Sequence, residues 1–199
     1  LNGGGAGPTI LSVEPYAALS LMDLSITGGA GYADSNSGSS IGGGLLYSTY
    51  SSNSGYQMGT VEMDNVLIYG NSADLGAGLV ILGADTTLKN TEIRENHADE
   101  GYGGFLLLDG IHNLTSVDVI KNTADDYLGG GAIYAEFAAY VHEFQDVRFI
   151  ENQSVTTGSA LYLAMNMVKW SGTAAGSSSV VGNTTSSLDY TSSAVFLND

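Results

Sequence analysis

Cysteine is absent from the 199 residues, which removes disulfides, thiolate metal sites and cysteine nucleophiles together. Lysine and arginine number 5 against 21 acids, and the resulting formal charge of −16 repels phosphate backbones and anionic lipid surfaces. Nucleic acid is therefore not an expected partner. No run of about 18 apolar residues occurs, so membrane insertion through a helix is not expected either. The opening LNGGGAGPTIL lacks a basic stretch followed by an apolar one, so a secreted form would be a mature chain or an excised segment. Proline is scarce, at 2 residues, while glycine reaches 28 and 43% of the chain is hydrophobic. That balance predicts many tight turns around a core rather than a disordered linker, and the length predicts one domain spanning 1–199.

What the chain does contain is self-similarity. KNTADDYLGGGAIY (Lys121–Tyr134) has relatives at Val66–Leu82, Thr91–Leu108, Val147–Leu163 and, degraded, Ser178–Leu197. They align on Asn71, Asn96, Asn122, Asn152 and Asn183, at intervals of 25, 26, 30 and 31 residues. A fainter copy over Leu24–Tyr47 has Gly29 at that place. Apolar Ile68, Ile93, Val119, Phe149 and Val180 stand three positions before the asparagines, and Val66, Thr91, Val117, Val147 and Ser178 stand five before, a spacing of two that is the period of a strand. After it comes a glycine or serine followed by an aliphatic row: Leu46, Val80, Leu106, Ile133, Leu161 and Val195.

Two short strands and a turn per repeat cannot bury a face alone, whereas stacked repeats can. The pattern predicts an all-β fold, a parallel β-helix of about six coils. Residues 1–23 would form an N-terminal coil or cap and 24–197 the repeat coils, with a long insertion near 31–54. Ala135–Phe144 has a helix-like composition but falls in register, and is read as a strand and turn.

The glycine triplet is not a phosphate cradle, because no helix pattern and no GK[ST] follows it. Glycines here serve turns and close stacking of coils. The asparagines are expected to tolerate a left-handed corner and to hydrogen-bond from coil to coil as a ladder. Asn152 and Asn183 lie in glycosylation sequons but belong to that ladder, whereas Asn113, in NLT, lies off it and is the candidate glycan site.

Asp74, Asp99 and Asp125 stand three residues after their asparagines, with Glu100 and Asp126 next to two of them. Stacking would bring these carboxylates to neighbouring levels, where they form either a solvated acidic edge or a Ca²⁺ site built from oxygen ligands; no cofactor is required. His112 and His142 share a register ten residues before their asparagines, but without a third ligand they are read, with His97, as surface histidines. The row Tyr47, Ile81, Leu107, Tyr134, Tyr162 and Phe196 neighbours the aliphatic row. If the aliphatic row points inward, Tyr47, Tyr134, Tyr162 and Phe196 form an exposed ring-bearing contact surface; reversed parity, or cover by the insertion, is the alternative. For catalysis, the acids Glu92 and Asp118 and the arginines Arg94 and Arg148 are available, but nothing separates them from surface charge.

With these motifs laid out, the chain resembles the passenger repeats of the polymorphic outer membrane proteins, which pair FxxN with GGA[ILV]. FIEN (Phe149–Asn152) and GGAI (Gly130–Ile133) match outright. VIKN, IREN and IYGN vary the first motif, and GGLL, AGLV, GGFL, GSAL and SSAV the second. The resemblance covers most of Leu24–Leu197 and implies a right-handed parallel β-helix, secreted or displayed at the cell surface. It carries over no catalytic residue. The function expected is a non-enzymatic adhesive or structural module binding a surface protein or carbohydrate along a strand face. The alternatives are a filament subunit that self-associates end to end, and a polysaccharide lyase or hydrolase.

Overall fold

The apolar positions two residues apart fold as strands in the computed structural model of the protein. It describes the chain outside residues 5–6, 8–9, 14–15, 34–37, 52–54, 57, 126–132, 137–140, 156–158, 165–166, 174–177, 186–194 and 199. For residues 11–13, 50–51, 55–56, 108, 133–136, 141, 161–164, 167–168, 185 and 195–198 it describes the backbone only. Among the described residues every element is a strand and none is a helix.

Successive repeats add strands to three sheets in turn, the later ones giving the first sheet two short strands in place of one long one, and the strands within a sheet follow chain order. The first sheet runs Ala18–Thr27, Gly59–Tyr69, Ala84–Arg94 and His112–Ile120. It continues through Val141–Gln145 with Arg148–Ile150, and Met167–Ser171 with Ser179–Val181. The second runs from Ile10–Val13 through Leu45–Ser48, Leu79–Leu82, Phe105–Leu108, Ile133–Glu136 and Leu161–Ala164 to Val195–Asn198. The third holds Ser40–Ile41, Ser72–Leu75, His97–Gly101, Thr123–Ala124, Gln153–Ser154 and Thr184–Thr185. Neighbouring strands pair in parallel, except that Tyr32–Ala33 adds to Ser40–Ile41 antiparallel and Tyr50–Ser51 pairs Gly55–Tyr56 the same way. The two antiparallel pairs fall in or beside the expected insertion. The strands Ile133–Glu136 and Val141–Gln145 flank 137–140, so the helix-like stretch contributes to two sheets.

One apolar core is lined by the first and second sheets, with Ile26, Ile68, Ile93, Val119 and Phe149 in one row and Met63, Leu88, Leu114 and Phe144 in another. The long strands of the first sheet bend where a residue takes a left-handed conformation: Asp23, Asn65, Asn90, Ser116 and Asp146 share this feature at successive levels. The bend turns the second half of each strand while keeping its apolar residues on the same core.

The second sheet corrects two expectations. Its first three repeats send Tyr47, Ile81 and Leu107 into the core, at 0%, 0% and 1% exposure, while Leu46, Val80 and Leu106 pack with Tyr102 in a separate cluster on the opposite face. The parity is reversed, so Tyr47 is not a surface ring. Its hydroxyl donates to the Ala17 carbonyl, and a Cβ at Gly59 would fall on that hydroxyl, so the glycine makes the inward pose feasible. Burial raises the pKa of this phenol. The strand register also steps by one: Tyr134 pairs with Leu106, not with Leu107, and Tyr162 and Phe196 continue that line. The side chains of these three rings lie outside the described residues, as do Asp126 and the glycine triplet.

Candidate functional site

The corner between the first and third sheets carries the asparagines. Asn71, Asn96, Asn122 and Asn152 are at most 2% exposed, and Asn183 is half-buried. Each member sends its backbone N–H and one side-chain N–H to the Oδ1 of the next: Asn71 to Asn96 at 3.1 and 2.9 Å, and Asn122 to Asn152 at 2.9 and 3.0 Å. The other side-chain hydrogen goes back to a core-row carbonyl, as from Asn122 to Ile93 at 2.9 Å. At the N-terminal end the Gly29 N–H takes the donor's place against Asn71. The expected ladder is present, but the left-handed conformation falls one residue earlier, on Gly70, Glu95, Lys121, Glu151 and Gly182. The asparagine contributes its amide, and the residue before it makes the corner.

Close stacking explains the glycines that follow. A Cβ on Gly44 would fall on the Gly78 carbonyl oxygen, and one on Gly78 on that of Gly104. None of these three has a positive φ, so approach rather than conformation demands glycine here.

The acidic row is held by protein donors. The Asp74 carboxylate accepts from the Ser40 N–H while the Ser40 hydroxyl accepts from the Asp74 N–H at 2.9 Å. Glu100 accepts from the Ser39 hydroxyl at 3.0 and 3.2 Å. One level on, His97 Nε2 lies 3.1 Å from Asp99 and 3.7 Å from Asp125, with its Nδ1 2.7 Å from the Thr123 hydroxyl. Among the described residues no group of three or more His, Asp or Glu side chains is disposed to hold a metal ion.

His112 and His142 are not surface groups. Each is 2% exposed, and the rings stack with centroids 4.9 Å apart and planes 20° from parallel. They occupy the inward row that Val61 and Thr86 begin. Burial, and then the neighbouring His142, lower the pKa of His112 to about 3. A shared register was readable in the sequence, but its side was not: histidine is polar, and only the alternation with outward Asn113 and Glu143 settles it.

The basic residues gather at the first sheet. Lys89, Arg94, Arg148 and Lys169 stand at its outward positions and Lys121 follows one of its strands directly, which accounts for every lysine and arginine in the chain. Arg94 Nε meets Glu92 at 2.7 Å, and Arg148 grips Asp118 with a two-point fork through Nε and Nη2. Lys169 meets Glu143 at 3.0 Å. Asp118 first through its hydrogen bond, then through its charge, raises the Arg148 pKa. Beside these pairs runs an outward row of Tyr69, Arg94, Ile120, Ile150 and Val181, with Arg94 4.9 Å over the Tyr69 ring and Val181 56% exposed. Asn113 is exposed on the same sheet, next to Glu143, whereas Asn152 is fully buried in the ladder. No protein-family model, curated protein or solved structure matches the chain.

Proposed function

We propose that the chain is a right-handed, single-stranded parallel β-helix of about six coils that works as an extracellular, non-enzymatic adhesive or structural module. The coil reading rests on the succession of strands from consecutive repeats into three parallel sheets, joined at a corner by a continuous asparagine ladder. The contact surface is the outer face of the first sheet, which replaces the buried Tyr47 row. What carries this choice is the placement of four of the five basic residues on one face, with Lys121 directly after one of its strands, in a chain with 21 acids. That face offers both signs of charge beside apolar Ile120, Ile150 and Val181, a combination suited to a surface protein or an acidic carbohydrate. Glu92 and Asp118 are engaged by arginines, which favours binding over acid–base hydrolysis.

The test is a binding screen against purified cell-surface proteins and polysaccharides, with the R94A/R148A/I150A chain as control. Binding of a partner at micromolar strength that the control loses is expected. The reading fails if nothing binds, or if parent and control bind alike.

An end-to-end filament remains the second reading, favoured by Asn183. Its side chain donates to Phe149 at 2.9 Å and to Val181 at 3.2 Å, where earlier members donate to a following asparagine. Sedimentation across a wide concentration range decides it, and a single monomeric species throughout would end it.

A further inference from the structure

Across the left-handed bend from Arg94, Arg148 and Ile150, the outer face of the first sheet is hollowed along the stacking direction. Strand alternation turns two rows of side chains outward there. One row is Ser20, Glu62, Thr87, Asn113, Glu143 and Lys169. The other, two residues on, is Met22, Asp64, Lys89, Thr115, Gln145 and Ser171. Each of these side chains is exposed or half-exposed. Between the rows lie two open hollows, one of about 110 Å³ beside Glu62, Asp64, Thr87 and Lys89, and one of about 330 Å³ beside Asn113, Thr115, Gln145 and Ser171. They abut where Thr87 and Lys89 pair in register with Asn113 and Thr115, so together they form one furrow across six strands. Five strand spacings make it about 24 Å long.

The lining is hydroxyls, amides and charges, with Met22 as its one apolar outward side chain. An extended peptide would need a free strand edge or apolar pockets, and a furrow crossing paired strands in mid-sheet has neither. Its polar groups instead recur at every level, at a spacing close to the advance of one pyranose in an extended glycan.

Charge narrows the ligand further. Lys169 is paired with Glu143 at 3.0 Å, and Arg94, Lys121 and Arg148 have acids of their own. Lys89 meets no acid among the described residues, because Asp64, its neighbour in register, accepts from the Asn90 amide at 2.8 Å. On the other side of Lys89 stand the neutral Thr115, Asn113 and Gln145. One carboxylate is therefore matched here. A carboxylate on every sugar would also face Glu62, Asp64 or Glu143, on a chain already at −16.

We propose that this furrow is a second binding site, which takes a linear, mostly neutral glycan across the strands of the first sheet and seats an isolated carboxylate on Lys89. It is separate from the contact surface marked by Arg94, Arg148 and Ile150 and does not depend on it.

Isothermal titration of the full chain tests this, with protein made without glycosylation because a glycan on Asn113 would stand in the furrow. The probes are cello-oligosaccharides, the same glucan sparsely carboxymethylated, and oligogalacturonate. The sparsely carboxymethylated glucan should bind most tightly, roughly tenfold better than the neutral one, as one charge-assisted hydrogen bond provides. Oligogalacturonate should bind least. Lys89→Gln should erase the preference while the neutral glucan still binds. Gln145→Trp, at an exposed position, fills the furrow and should abolish binding of both glucans. The R94A/R148A/I150A chain should bind them as the parent does. Absence of binding by either glucan, oligogalacturonate as the tightest ligand, a preference that survives K89Q, or equal binding by Q145W overturns the proposal. So does binding lost in R94A/R148A/I150A but kept in Q145W. If Q145W does not fold, amide NMR shifts of the parent decide: shifts along Thr87, Asn113 and Gln145 support the furrow, and shifts confined to Arg94, Ile120 and Ile150 refute it. A furrow that fails leaves untouched any partner that the triple variant loses.

Discussion

Asn96 passes both its backbone and its side-chain hydrogen to one oxygen, Oδ1 of Asn122, at 3.1 and 2.9 Å across 26 residues of chain. Asn122 repeats the act toward Asn152 and returns its remaining hydrogen to Ile93. Removing the Asn122 side chain therefore orphans two donors of Asn96 and takes a donor away from the Ile93 carbonyl and from Asn152 Oδ1, which keeps only the Asn122 backbone N–H, all of them out of reach of water.

Asn122→Ala is expected to cost about 3 kcal/mol or more, since each buried polar group left unpaired costs roughly 1–3 kcal/mol. Asn183→Ala, at the half-buried end, should cost about 1 kcal/mol. Denaturant midpoints measure both, and equal losses would mean that the ladder is not the cooperative unit.

Gly78→Ala tests the approach of consecutive levels. The added Cβ meets the Gly104 backbone oxygen, which cannot move without shifting a whole turn. A loss of about 1–3 kcal/mol is expected. Gly38→Ala, where nothing stands near the Cβ, changes no packing and loses only what its positive φ of 77° imposes. A larger loss at Gly38 than at Gly78 would contradict the stacking explanation.

Asp74 and Glu100 already have donors in Ser40 and Ser39, Asp99 lies 3.1 Å from His97 Nε2, and Asp125 stands 3.7 Å from the same nitrogen. Thermal unfolding should then be the same in EDTA and in millimolar calcium. Asp74→Ala should lower stability by about 1–2 kcal/mol by releasing the Ser40 N–H. A melting temperature that rises with calcium would instead give the acids a cation to hold.

Expression in a glycosylating host separates the sequons. Asn113 is exposed and should carry the glycan; Asn152, fully buried and bonded on both sides, should not. Peptide mass mapping reads the outcome, and an occupied Asn152 in folded protein would break the ladder assignment.

The repeats were legible because Asn71, Asn96, Asn122, Asn152 and Asn183 recur with apolar residues at fixed distances ahead of them, and those residues indeed face the core. Side assignment in the second sheet was not legible. Leu45–Tyr47, Leu79–Leu82 and Phe105–Leu108 are apolar at consecutive positions, because both faces of this sheet are covered where they are described, and a strand buried twice has no alternation to read. The single signal was Gly59, a missing side chain opposite the Tyr47 hydroxyl, and it lies 12 residues away in sequence with no local pattern to flag it. The histidines were misplaced for a related reason: His142 sits where a core residue belongs, and its acceptor role toward a backbone amide has no signature in composition.

The asparagine ladder also has a direction. On each level the asparagine's backbone N–H and one of its side-chain hydrogens are answered by an acceptor that lies later in the chain. A chain emerging from its N-terminus would always carry an unanswered pair of donors at its newest level, satisfied only when the following repeat arrives. Completed levels have nothing left to offer, so assembly proceeds like a zip with one slider, and a pause in chain delivery halts it at a level poised to accept its own next segment.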